Sequence, residues 1–215
     1  MIYRKNNFQE QKGVLIQMKS SFGIRHAKWF ACISLLAITG VVLLLSGRHA
    51  AAIENSSQND FKPTTVFLVR HAERADSPRE DPPLLEAGVA RSQQLARILA
   101  NAGVKAIYTS QYLRTRQTAE PLAKQLGIEA AAVQIKMSTA NPRQVSAESI
   151  NEIVEKIYQR AGENALVIGH NNTTPEVIRA LGGDMVPTID EKTFDDLFVV
   201  TVFAKGKARV THLKY

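Results

Sequence analysis

Cysteine is almost missing from this 215-residue chain, and the only one, Cys32, lies inside an apolar amino-terminal run. Everything after it is free of thiols, which excludes a disulfide framework, a cysteine nucleophile and cysteine-based zinc sites there. No G-x-S-x-G elbow occurs, so nothing marks a serine nucleophile of the α/β-hydrolase kind. Internal repeats and low-complexity stretches are lacking as well. What remains is the composition of a folded protein: 45% hydrophobic and 22% charged, with 12 Gly and 8 Pro, which excludes disordered and collagen-like chains.

The formal net charge of +7 would indicate a nucleic-acid or anionic-membrane partner if it were spread over the fold. It is concentrated at one end. Residues 1–53 carry seven Lys or Arg against a single acid, Glu10, leaving 20 basic and 19 acidic residues in 54–215. A nucleic-acid partner is therefore not expected.

Trp29 to Gly47 is a run of 19 residues without a charge, close to the roughly 20 that cross a bilayer as a helix. Six positive charges precede it and Arg48 follows, so the positive-inside bias keeps the amino terminus in the cytoplasm and sends the rest across. Two fates fit the segment. Its length favours a retained anchor, while Ala50-Ala51-Ala52 offers a signal-peptidase-like site, and a start at Met18 would leave an ordinary signal-peptide beginning. The expected organisation is a basic cytoplasmic segment (1–28), a transmembrane anchor or signal-peptide core (29–47), a polar tether (48–63) and a domain over 64–215. That domain is expected outside the cytoplasm, anchored in an inner membrane or secreted to a periplasm.

From Thr64 onward, strands and helices alternate. Thr64–Val69, Lys105–Thr109 and Ala165–Ile168 are short apolar runs expected of buried strands. Leu95, Ile98 and Leu99 set one helical face within 86–102. Ala119, Leu122, Ala123 and Leu126 set a second, stopped by Gly127, and Ile150, Ile153, Val154 and Ile157 a third. Thr174-Pro175 reads as an N-cap followed by Pro at the first helical position, with Gly182-Gly183 closing that helix. Two strands follow, near Leu197–Ala204 and Ala208–Lys214. The pattern predicts an α/β fold: a three-layer α/β/α sandwich around a mostly parallel sheet, preceded by one amino-terminal hydrophobic helix. Ligands of such sheets gather outside the carboxyl ends of the strands.

Two of the five histidines stand at such ends: His71 follows the strand Thr64–Val69 and Arg70, and His170 follows Ala165–Ile168 and Gly169. One histidine at a strand end is commonly structural, but two in matched positions point to a shared site. Arg70 abuts the first, and Arg114 opens the helix after the second strand. Two guanidinium groups aimed at one crevice repel unless an anion lies between them, and their geometry fits phosphate oxygens. Surface ion pairs with Glu73 or Glu120 are the bland alternative. A zinc site from His71, Glu73 and His170 is the competing chemistry, and the neighbouring arginines oppose it.

Three segments, FLVRHAE (67–73), YTSQYLRTRQTAEPLA (108–123) and VIGHNNTTP (167–175), resemble the histidine phosphatase superfamily. The likeness is to the phosphoglycerate-mutase-like group and its short members akin to phosphohistidine and lipopolysaccharide-core phosphatases. The resemblance implies a phosphatase in which His71 is the nucleophile and forms a phosphohistidine. Arg70, Arg114 and His170 would surround the phosphoryl group, with backbone N–H donors after Ser110 and His170, and no metal or cofactor. The usual general acid of the family has no counterpart: Asn171 follows His170, and 130–144 contains no carboxylate. Glu73 and Asp81 are the candidates, and without an acid the substrate needs a good leaving group, such as a phosphoramidate. Short segments at 127–146 and 182–195 leave little room for a mutase lid, so a phosphorylated small molecule, glycolipid or protein is the expected substrate. The alternative from another class is a membrane-tethered phosphate-binding module without turnover.

Overall fold

A computed structural model describes residues 61–215; the charge-free run Trp29–Gly47, the Ala50–Ala52 site and most of the tether lie outside them. Among the described residues no helix is long and apolar enough to cross a membrane.

The chain runs β1 (Thr64–Arg70), α1 (Glu86–Leu99), β2 (Val104–Ser110), α2 (Leu113–Leu126), β3 (Ala131–Val133), α3 (Ala147–Tyr158), β4 (Asn164–Gly169), α4 (Thr173–Ala180), β5 (Asp196–Ala204) and β6 (Lys207–Lys214). The six strands make one sheet in the order β3-β2-β4-β1-β5-β6. It is mixed: β3, β2, β4 and β1 are parallel, whereas β5 is antiparallel to β1 and β6 to β5. The antiparallel β5 and β6 make the sheet mixed rather than all parallel, and the tight turn at Gly206 reverses the chain between those two, since so short a connection allows no crossover.

Side-chain alternation divides the core in two. Val66, Leu68, Ala165, Val167, Phe198 and Val200 point to one face and pack with Ile150, Ile153 and Ile157 of α3 and Val177 and Ile178 of α4. Val69, Leu166, Ile168 and Leu197 point to the other and meet Leu95 and Leu99 of α1 and Ala119 and Leu122 of α2. Thus helices cover both faces of the sheet.

The local signals held unevenly. All four apolar positions expected on α3 are buried, and Gly127 ends α2 in the left-handed region at φ 65°, where glycine lacks the Cβ penalty. Ile98 is exposed instead, because the buried stripe of α1 runs through Ser92, Leu95, Ala96 and Leu99. α4 starts before Thr174: the His170 carbonyl accepts from Thr173 N and Thr174 N, and Asn172 occupies the N-cap. Pro175 is therefore the third helical residue, still within the first turn where a missing N–H costs nothing.

Candidate active site

The two histidines are brought together by register. β1 pairs with β4 in parallel with Arg70 opposite Gly169, so the next residue on each strand, His71 and His170, emerges at the same level. His71 N continues the ladder to Gly169 O at 3.0 Å. Their rings meet edge to face, centroids 5.3 Å apart. Both are buried, at 4% and 8% exposure.

His71 has a defined tautomer. Its Nδ1 lies 2.8 Å from the Ala72 carbonyl oxygen, which can only accept, so Nδ1 carries the hydrogen and Nε2 the lone pair. Ala72 is itself fixed, its N–H donating to Thr118 Oγ1 on α2 at 3.0 Å. Burial, reinforced by the positive charges of Arg70, Arg114 and Arg74 and opposed by the Ala72 bond, pushes His71 down to about 4. Burial, with His71 and the same two site arginines, pushes His170 down to about 3. Both rings are neutral at pH 7.

Arg70 is a buried cation held from a distance in sequence. Its Nη1 donates to the carbonyl oxygens of Asp190, Glu191 and Thr193 at 2.9, 2.6 and 3.2 Å, and its guanidinium lies 4.3 Å from the Phe194 ring centroid. Arg114 stacks on Tyr112 at 4.3 Å and reaches His170 Nδ1 with Nη2 at 3.5 Å. Burial lowers the pKa of both arginines. The Nε of each is buried without a partner. Two guanidinium groups in one crevice, each with a buried Nε left unpaired, are costly together, and an anion between them would relieve both.

These four residues line a cavity of about 450 Å³ whose wall includes Arg74, Asp76, Tyr112, Glu191 and Phe194. The two acid candidates lie off it. Glu73 makes a bidentate ion pair with Arg91, at 2.7 to 3.0 Å, which lowers its pKa despite partial burial. Asp81 accepts from Leu113 N at 2.7 Å and stands 3.9 Å from Arg114. That carboxylate caps the start of α2, so the Leu113 N–H among the donors after Ser110 is already occupied. The carboxylates that do line the cavity are Asp76 and Glu191. Both come from irregular segments without periodicity, where sequence alone has nothing to mark them. Among the described residues no cluster of three or more His, Cys, Asp or Glu is placed to hold a metal ion.

A family model for the histidine phosphatase superfamily (branch 1) matches residues 66–136, a span that contains Arg70, His71 and Arg114. Over that span this chain is similar to the histidine phosphatase superfamily. No curated protein sequence matches it. Solved structures share the fold. The protein histidine phosphatase SixA, solved with tungstate, is 18% identical at a TM-score of 0.56, covering 70% of this chain and 96% of its own. Phosphoglycerate mutase from Bacillus anthracis is 16% identical at 0.55, covering 73% and 94%. Phosphoserine phosphatase from Entamoeba histolytica, solved as a mutant with phosphoserine, is 14% identical at 0.53, covering 69% and 95%. This chain thus spans nearly the whole length of those chains.

Proposed function

We propose that this protein is a metal-independent phosphatase that hydrolyses phosphate monoesters or phosphoramidates through a phosphohistidine at His71. The supporting observation is the tautomer: Nδ1–H held by the Ala72 carbonyl leaves a lone pair on Nε2, on a ring neutral at pH 7 beside two arginines. Nε2 attacks phosphorus, the bond to the leaving oxygen or nitrogen breaks, and that atom takes a proton from solvent, which the hydrolysis step returns. Water then cleaves the N–P bond, releasing phosphate and the neutral ring. Arg70 and Arg114 offset charge on the equatorial oxygens, the chief demand of phosphoryl transfer. As positive charge develops on the ring, the Nδ1–H bond to Ala72 strengthens.

The cavity is larger than a phosphoryl group needs. A second cleft of about 370 Å³ shares Val145, Asn171 and Asn172 with it, so an extended substrate has room beyond the reacting phosphate. Among the fold relatives one is a protein histidine phosphatase and another binds phosphoserine; a phosphorylated protein, glycolipid or small molecule suits the same groove here. We infer action outside the cytoplasm from the charge-free Trp29–Gly47 run and the basic residues before it; protease accessibility of the full chain in intact spheroplasts tests that.

The decisive experiment is hydrolysis of an aryl phosphate by the full chain in EDTA, parent against His71→Ala, with acid quenching to trap a phosphohistidine. Turnover that survives EDTA and is lost in the variant supports the reading. Unchanged turnover in His71→Ala overturns it. Anion binding without turnover in the parent assigns the site to a binding module instead.

A further inference from the structure

The hydrogen bonds behind His170 have a direction. Thr115 is fully buried, and its Oγ1 lies 2.8 Å from the Tyr112 carbonyl oxygen and 3.1 Å from that of Ser110. Carbonyl oxygens only accept, so the one Thr115 hydroxyl proton is committed to them. Ser110 Oγ, 2.9 Å from Thr115 Oγ1, then gives its own proton to Thr115. Toward His170 Nε2, also 2.9 Å away, Ser110 is left as an acceptor, and Nε2 carries the hydrogen. The other side of the ring agrees. Arg114 Nη2 stands 3.5 Å from His170 Nδ1, and a guanidinium only donates. Both contacts require the same tautomer, with the Nδ1 lone pair toward Arg114.

A lone pair repels a phosphoryl oxygen. We propose that Ser110 and Thr115 are positioning residues that lock His170 as the Nε2–H tautomer, so that a tetrahedral dianion entering the cavity brings one proton from water onto Nδ1. The ring thereby changes from an acceptor of Arg114 into a donor to the anion. One H⁺ is taken from solvent per dianion bound and returned when the anion leaves. This rests on the reading of the cavity as a phosphoryl site.

The groups facing the ring fit such coupling. Arg70 and His71 come from the end of β1, Tyr112 and Arg114 from the start of α2, Arg74 and Asp76 from the loop after β1, and Glu191 from the segment before β5. In the empty cavity burial and the cations oppose an imidazolium. A dianion between the arginines and the ring reverses the sign of the local field. Without the relay, Ser110 could donate to Nε2, and a neutral Nδ1–H ring would greet the anion with no proton taken up.

The test uses the full chain labelled with ¹⁵N at histidine, with His170→Gln to assign its signals. Sulfate is the probe, since it carries no titratable proton near neutrality. Expected are Nε2–H with an unprotonated Nδ1 in the free protein and both nitrogens protonated with sulfate. Calorimetry in buffers of different ionisation heat then reads about one proton taken up per sulfate. Thr115→Val, nearly isosteric, should give mixed tautomers and cut the uptake by at least about half, and Thr115→Ser should restore both. An Nδ1–H ring in the parent, or sulfate bound with no proton at His170, overturns the proposal even if His71-dependent turnover stands. An Nε2–H ring that binds no sulfate overturns the phosphoryl site, and the coupled uptake with it. Should Thr115→Val fail to fold, the parent measurements decide alone.

Discussion

His71 and His170 carry their ring hydrogens on opposite nitrogens: His71 donates from Nδ1 to the Ala72 carbonyl at 2.8 Å, while His170 presents Nε2 to Ser110 Oγ at 2.9 Å. The first arrangement leaves a free lone pair on Nε2, and the second turns the Nδ1 lone pair toward Arg114. Side by side at the ends of two paired strands, the same residue type is thus given two jobs by its neighbours' carbonyl and hydroxyl oxygens.

The two buried rings predict an acid-sensitive fold. An unfolded histidine titrates near its ordinary value of 6.5, whereas His71 and His170 resist protonation until about 4 and about 3. Above 6.5 both states are neutral and nothing differs. Below it the unfolded chain takes up protons that the folded one refuses, so stability falls as pH drops through this window, by on the order of several kcal/mol. Urea unfolding in steps between neutral and acid pH measures it. The double variant His71→Gln/His170→Gln should flatten the dependence, and a parent curve already flat over that range contradicts the burial argument.

The two arginines should separate binding from stability. Arg70 ties three carbonyl oxygens of the 190–193 segment to the end of β1, so Arg70→Lys should weaken anion binding and also remove about 1–3 kcal/mol, a drop of roughly 3–10 °C in melting midpoint. Arg114 rests on Tyr112 and His170, and Arg114→Lys should weaken sulfate binding about 10–100-fold with a midpoint shift under about 2 °C. Calorimetric binding and thermal melts on the same samples give both numbers. Equal midpoint losses would mean that Arg70 is no more structural than Arg114.

Much of this fold and site is legible in the sequence. Short apolar runs became β1, β2 and β4, and a strand end followed by histidine is a statement about position that survives folding unchanged. Contributions from distant irregular segments were not legible. Phe194 and the carbonyls that hold Arg70 lie some 120 residues from it, in a stretch with no period to read. β3 has three residues with two exposed alanines, too little pattern for a strand. Thr174 looked like a cap because capping residues and buried threonines are the same letters; here its side chain is buried and the turn begins at His170. The relay behind His170 needed atoms, since only distances give hydroxyl protons a direction.

Leaving-group dependence should be indifferent to Glu73. Its carboxylate is bound on both oxygens by Arg91 and does not line the cavity, so it is poorly placed to hand over a proton. Glu73→Gln should lower stability by roughly 1–3 kcal/mol, because the Arg91 charge loses its partner. It should leave the ratio of alkyl to aryl phosphate turnover within about twofold of the parent. A selective collapse of alkyl phosphate turnover would restore Glu73 as the acid.

Gly88 ties the loop after β1 to the core. A Cβ built there would stand 2.2 Å from the Glu73 carbonyl oxygen and 3.0 Å from Glu73 N, and neither is a flexible side-chain tip that can turn aside. The same carbonyl accepts from Leu85 N at 2.9 Å at the start of α1, so helix and loop cannot separate without losing that bond. Glu73 is two residues from His71, whose level is set by the β1–β4 ladder on one side and by Ala72 on the other. Gly88→Ala should therefore cost about 2–4 kcal/mol, the range of an overpacked backbone contact. It should also reduce kcat more than KM, because a shift of the Ala72–Glu73 backbone turns the His71 ring while Arg70 and Arg114 stay in place. Denaturant titration and steady-state kinetics on an aryl phosphate check the two halves, and a variant with parental stability would show that the helix can give way at this contact.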